Sequence, residues 1–375
     1  MLLLPARLAF ALLLAVLQFT PIQASQGTSS TQQRTSKRYV ILDTTSDSPS
    51  WTAVLMAMEA SADPSNDFTF LGVLATESPE LDTFNVLMDS TGMSDCLTLV
   101  SSDEMELYPV DGYELESAPA TVKQLVEWVN AYPGQVTLYA SSSLATLAYA
   151  EAIDPSLASK IAELVVVANF DDSNDFRSSG RVGFYENSPF IKNQEAFLAT
   201  LGGNIPLFRV MGPLQPTLSG SEIAQRVQEA VTQNASSPEE GDEMLRARPF
   251  TWSYLMGHMG RMLAGHKQAI LMQEPGMAVL VNPALATGET DVEFTFEVES
   301  GSESEAPVLE LQKLDEEDIA PDDRATVIYD IDSEKFWDML VHTRSRDWTG
   351  FCAASREGAS DVETKEEPTQ THDEL

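Results

Sequence analysis

Short runs of apolar, largely β-branched residues recur along the chain, and most are followed by a segment of helical periodicity. The runs are Tyr39-Val40-Ile41-Leu42, Phe68-Thr69-Phe70-Leu71-Gly72-Val73-Leu74, Leu97-Thr98-Leu99-Val100, Val136-Thr137-Leu138-Tyr139-Ala140 and Leu164-Val165-Val166-Val167. The periodic segments fall at 51–60, 81–89, 121–129 and 144–153. A strand that is apolar on both faces must be covered on both faces, and alternation with helices supplies the cover. This predicts an α/β fold with a mostly parallel central sheet flanked by helices. The second half is more broken. Strands are expected at 205–210, 292–298 and 325–329, and helices at 223–232, 250–263 and 334–340. Residues 233–245 and 298–306 are polar and acidic and read as surface loops. There is no internal repeat.

The two ends carry addresses. Arg7 precedes an apolar run over 8–17, and Ala24-Ser25 offers a small-residue cleavage point. That order is a secretory signal peptide over 1–24. The run is short of the roughly 20 residues of a membrane span, which disfavours an uncleaved anchor. Residues 25–37 are rich in Ser, Thr and Gln and read as a disordered leader. The domain is expected over 38–345, and 346–375 reads as an acidic flexible tail. The tail ends in His372-Asp373-Glu374-Leu375, a retention signal read by a receptor in the endoplasmic reticulum. The expected location is therefore the lumen of that compartment.

A formal net charge of -36 argues against nucleic acid and anionic membranes as partners, and permits weak calcium binding over the surface. The chain's 2 cysteines, Cys96 and Cys352, are too few for a disulfide framework. An oxidising lumen would allow them to pair, but their proximity is open at this level. Asn234-Ala235-Ser236 is a glycosylation sequon. Asp171-Asp172-Ser173-Asn174-Asp175 lacks the glycine and glutamate of a calcium loop and reads as a polar turn. His258 and His266 are not at a zinc-ligand spacing. Met256, Met259 and Met262 read as core residues. No phosphate loop, nucleophile elbow or C-x-x-C motif is found.

The end of the first strand, Asp43-Thr44-Thr45-Ser46-Asp47-Ser48-Pro49-Ser50, resembles the D-x-D-P-G-x-D-D opening of the inosine/uridine-preferring nucleoside hydrolases. The similarity continues through Phe70-Leu71-Gly72-Val73 and is strongest from 133 to 169. There Pro133-Gly134-Gln135-Val136, Leu144, Leu147-Ala148, Asp154-Pro155 and Leu164-Val165-Val166-Val167 fall at the family's spacings. Ala278-Val279-Leu280-Val281-Asn282-Pro283 is a weaker echo. The resemblance implies a nucleoside-hydrolase-like fold. It also implies a calcium ion held by aspartates, and a water activated by one of them to attack the ribosyl carbon.

The polar residues that this chemistry needs are largely replaced. Asp43 keeps the first aspartate. The family's base falls at Thr45, and its adjacent metal aspartates fall at Pro49 and Ser50. Its G-P-L-T-N becomes Ser142-Ser143-Leu144-Ala145-Thr146, and its M-G-G becomes Val167-Ala168-Asn169. Its ribose-gripping E-F-N becomes Asn187-Ser188-Pro189, and its distal His-Asp becomes Met272-Gln273. Calcium asks for six to eight oxygens with several carboxylates among them. A hydroxyl is no general base near neutral pH.

The expectation is a luminal protein of this fold that has lost catalysis and acts as a binding or scaffold protein, with no cofactor. One alternative is an active N-ribosyl hydrolase with a remodelled calcium site. Asp43 and Asp47 are then the catalytic and metal candidates, and Asn169, Glu186 and Asn187 the substrate-binding ones. Glu77, Glu186 and Glu274 are further acids near the site; the plainer reading of each is an ordinary loop acid. Another alternative is a low-affinity calcium buffer or folding helper acting through its acidic surface. The expected partners are the retention receptor and a luminal protein, with no nucleic acid and no stable membrane insertion after signal cleavage. A homo-oligomer is compatible with the family.

Overall fold

The first strand sets the frame. In the computed structural model β1 spans Arg38–Thr45, and Val40, Ile41 and Leu42 are fully buried. The structure describes residues 37–45, 51–76, 85, 88–89, 92–102, 114–142, 144–167, 181–183, 205–211, 273–297, 308–312, 324–342 and 352. They lie in the unit Lys37–Leu375, taken here by itself.

After β1 come α1 (Trp51–Ser61), β2 (Phe68–Thr76), β3 (Thr98–Ser102), α2 (Ala120–Ala131) and β4 (Val136–Ala140). Then follow α3 (Ala145–Ile153), α4 (Leu157–Lys160), β5 (Ile161–Val167), β6 (Arg181–Gly183) and β7 (Phe208–Met211). The last elements are α5 (Glu274–Val281), β8 (Ala286–Glu297), β9 (Val308–Gln312), β10 (Arg324–Ile331) and α6 (Ser333–His342).

The strands form a 10-stranded sheet in the order β3-β2-β1-β4-β5-β7-β10-β8-β9-β6. Every pairing from β3 through to β10 is parallel, and β8, β9 and β6 extend the sheet antiparallel. Alternate residues of each strand feed two cores. On one face Val40, Leu42, Tyr139 and Val165 pack with α1, α5 and α6. On the other Ile41, Leu138, Leu164 and Val166 pack with α2, α3 and α4. The sheet is thus covered on both faces, as its apolar strands require.

Several elements differ from the sequence expectation. β5 begins at Ile161 rather than 164, because the polar Glu163 is carried into the sheet by partners. Its carboxylate meets Arg209 Nε at 3.3 Å and accepts from Thr137 Oγ1 at 3.2 Å. β3 begins at Thr98, β7 covers only Phe208–Met211, and β8 begins at Ala286. β6, β9 and the helix α5 were not anticipated. Expected helices 223–232 and 250–263, loops 233–245 and 298–306, and the turn 171–175 lie outside the described residues. So do the signal segment, His258, His266, all but three residues of the helix 81–89, and the tail except Cys352.

Cys96 and Cys352 form a disulfide, which closes the question left open above. Cys352 is fully buried in the core on the α1 face, and Cys96 packs against that core from its edge.

Candidate functional site

In an open parallel sheet, sites form where strands end and helices begin. β1 and β4 end side by side, with Asp43 opposite Ala140. The chain leaves β4 through Ser141 and Ser142, and the backbone N–H of Ser141 donates to the Asp43 carbonyl at 2.8 Å. This fixes the turn against the end of β1.

Asp43 is fully buried. The Ser142 hydroxyl donates to its Oδ2 at 2.7 Å, and the same hydroxyl accepts from the Leu144 N–H at 3.3 Å. Asp43 Oδ1 is buried with no hydrogen-bond partner. Burial of the charged form dominates and lifts the Asp43 carboxyl from 3.8 to about 7. Ser142 pulls it back first, and the nearby Thr146 second. Thr146 Oγ1 itself makes no hydrogen bond of ordinary geometry.

Leu144 adopts φ 61 and ψ 10, and is the only described non-glycine residue with positive φ. A leucine in the left-handed region is strained. Its side chain is fully buried, so the surrounding packing holds it. The strained turn lets α3 start immediately, bringing Thr146 in its first turn beside Asp43.

The other flank is built by α5. Gln273, at the N-terminal boundary of α5, extends its side-chain Nε2 to within 3.4 Å of Thr44 Oγ1. Its backbone carbonyl accepts from the Tyr139 hydroxyl at 2.7 Å. Glu274 is buried in the next position. Burial holds the Tyr139 phenol well above its usual range, and the Glu274 charge adds to this. Thr52, in the first turn of α1, is also buried, and its Oγ1 has no partner.

Of the catalytic and metal candidates, Asp43 stands in this site. Asp47 lies outside the described residues, as do Glu77, Asn169, Glu186 and Asn187. The same holds for Pro49, Ser50, the sequon Asn234 and His372, Asp373, Glu374 and Leu375. Glu274 does flank the site. Tyr139 and Thr44 were missed, because Tyr139 belongs to no motif and Thr44 fills the unspecified position of the opening one. Ser142, Thr146 and Gln273 appeared only as replacements of family residues, and that alignment was the signal that marked them.

The described donors do not fit calcium. They comprise the sealed Asp43 carboxylate with one oxygen already committed to Ser142, the hydroxyls of Ser142, Thr146, Thr44 and Thr52, the flanking Glu274, and an amide directed at Thr44. Calcium would need more convergent oxygens carrying more charge. Among the described residues no group of three His, Cys, Asp or Glu side chains could hold a metal ion.

Sheet order and strand-end site define the α/β class of the nucleoside hydrolases. The chain belongs to the inosine-uridine preferring nucleoside hydrolase family, whose model matches residues 8–338. That match begins inside the segment read above as a signal peptide. No curated protein matches the chain. Solved structures share the fold. A plant nucleoside hydrolase superposes with a TM-score of 0.52 at 14% identity, covering 82% of this chain and 98% of that one. A purine-preferring ribonucleoside hydrolase from Gardnerella vaginalis gives 0.50 at 12%, covering 84% and 100%. An inosine-uridine preferring nucleoside hydrolase from Bacillus anthracis gives 0.50 at 11%, covering 83% and 99%.

Proposed function

We propose that this protein is a luminal member of the family that has lost nucleoside hydrolysis and acts by binding a partner in the endoplasmic reticulum. The observation that carries this reading is the state of Asp43. It is the one family carboxylate retained, and it is sealed from solvent with its Oδ2 bonded to Ser142. A lone family carboxyl, with threonine at the base position and glutamine where the family has its last aspartate, makes no metal cage, and being sealed from solvent it is out of reach of a proton it would have to abstract. The Cys96–Cys352 disulfide supports an oxidising compartment, and the terminal His372-Asp373-Glu374-Leu375 supports retention there.

The test is hydrolysis of inosine and uridine by the purified full-length protein with millimolar calcium, followed by release of ribose. No turnover above the buffer rate is expected. Calcium-dependent turnover abolished by Asp43→Ala would overturn the reading in favour of a remodelled hydrolase. Location is read separately. Deleting residues 372–375 is expected to send the protein into the medium, and continued retention would count against the luminal address.

A further inference from the structure

Of the four positions that align with family metal carboxylates, Pro49 and Ser50 lie outside the described residues, and Asp43 and Gln273 are each engaged in a direct protein–protein hydrogen bond. Asp43 Oδ2 accepts from Ser142 Oγ at 2.7 Å, joining the end of β1 to the β4–α3 turn. Gln273 Nε2 reaches Thr44 Oγ1 at 3.4 Å, joining the start of α5 to the same end of β1. The Tyr139 hydroxyl, donating to the Gln273 carbonyl at 2.7 Å, ties α5 to β4 as well. These bonds tie β1, the β4–α3 turn and α5 to one another directly.

We infer that in this chain direct hydrogen bonds have replaced calcium as the cross-link of the strand ends, so that the fold is held there without a divalent cation. The inference rests on the loss of the family's metal chemistry proposed above and extends it to what keeps the site closed. The donor chemistry agrees. Calcium can take a carboxylate through one oxygen or both, but it needs six to eight oxygens in all, several of them charged. Here Oδ2 is engaged by a hydroxyl that is itself positioned by accepting from the Leu144 N–H at 3.3 Å. The carboxyl, the Ser142 hydroxyl and the Thr146 hydroxyl are all closed to solvent. Glutamine at 273 contributes an amide donor where a carboxylate would repel the buried Glu274 beside it.

Thermal unfolding of the full-length oxidised protein in roughly 2 mM calcium, above the dissociation constants of most protein calcium sites, and in excess chelator tests this. The two midpoints are expected to coincide within about a degree. Ser142→Ala is expected to lower both midpoints equally by several degrees, and Asp43→Asn, which keeps an oxygen acceptor for Ser142, to lower neither by as much. A calcium-induced rise that magnesium reproduces and that survives in Asp43→Asn is surface screening and agrees with the inference. A rise in the wild type that calcium gives and magnesium does not overturns it, and its loss in Asp43→Asn would place the ion at this carboxyl. Since the wild-type comparison alone can overturn the inference, a variant that fails to fold does not protect it. The two proposals also fail separately. Calcium-specific stabilisation without nucleoside turnover sinks only the cross-link, whereas calcium-independent turnover sinks only the inactive reading.

Discussion

Asp43 is a carboxyl whose surroundings favour its neutral form. Burial lifts it from 3.8 to about 7, with Ser142 and Thr146 opposing. The folded state therefore binds a proton that the unfolded chain releases between those pH values. The contribution of protonated Asp43 is fully present below pH 3.8 and is lost progressively as pH rises through about 7. At about 1.36 kcal/mol per pKa unit, the full swing is on the order of 4 kcal/mol. Glu151 on α3 acts in the same direction. Burial raises it from 4.5 to about 8, and its Oε1 has no partner. In urea unfolding between about pH 5 and 8.5, wild-type stability relative to Asp43→Asn is expected to fall with rising pH and level off above neutrality. Glu151→Gln is expected to remove a second slope that lies higher. A difference between wild type and Asp43→Asn that stays flat over that range would contradict the assignment. Some of the residues at this site were readable in advance, but Thr44 and Tyr139 were not, and neither was the arrangement. Sequence marked Asp43 as retained and Gln273 as a replacement. Nothing in either residue type indicates that one would bond Ser142 and the other approach Thr44.

At the scale of elements, legibility followed burial pattern. β1, β4 and the core of β5 were readable because their apolar runs have one interpretation in a covered parallel sheet. α5 was not, because residues 274–280 are all buried and carry no amphipathic period. Its Glu-Pro-Gly opening also looks like a breaker, yet proline is tolerated in a first helical turn. Gly276 has a packing reason, since a Cβ there would overlap the Tyr139 hydroxyl. Gly276→Ala is expected to destabilise by about 1–3 kcal/mol as an overpacking change. Tyr139→Phe should cost about 1 kcal/mol through the lost bond to Gln273. Together they should cost less than the sum, because removing the hydroxyl frees the space; an additive double-mutant cycle would refute that packing. Gly72 is the parallel case on β2, one strand in from the sheet edge. The β1–β2 register slips there, Val40 facing Phe70 and Ile41 facing Gly72. Gly72 takes φ 153, and a Cβ would run into the Thr98 carbonyl of β3. Gly72→Ala is expected to cost about 2 kcal/mol or more, combining strain with a clash against backbone that cannot yield. Loss of amide-exchange protection should be largest over 98–102. An exchange pattern unchanged in β3 would mean that the edge does not depend on this glycine.

For the whole molecule, the decisive link is covalent. Cys96 lies just before the edge strand β3 and Cys352 lies beyond α6, at a sequence separation of 256. The bond therefore joins the first and last thirds of the folded unit across its core, where Cys352 is fully buried. Sequence could count two cysteines but not bring them together, since proximity is a property of the finished sheet and its packing. A cross-link over so long a loop restricts the unfolded chain strongly, and loss of a native disulfide typically costs 2–5 kcal/mol. Cys352→Ser should remove about that much in urea unfolding, together with the van der Waals contacts of a buried sulfur. Cys96→Ser with Cys352→Ser should be no worse than Cys352→Ser alone, because one bond is lost in either case and the double variant leaves no free thiol. Burial of Cys352 adds a kinetic expectation. A small thiol reductant should open the bond slowly in the folded protein and rapidly in urea. Under native conditions reduction should track unfolding, with alkylation of Cys352 following the same rate. Reduction in the native state as fast as in urea, with no loss of stability, would mean that the link is peripheral to the fold.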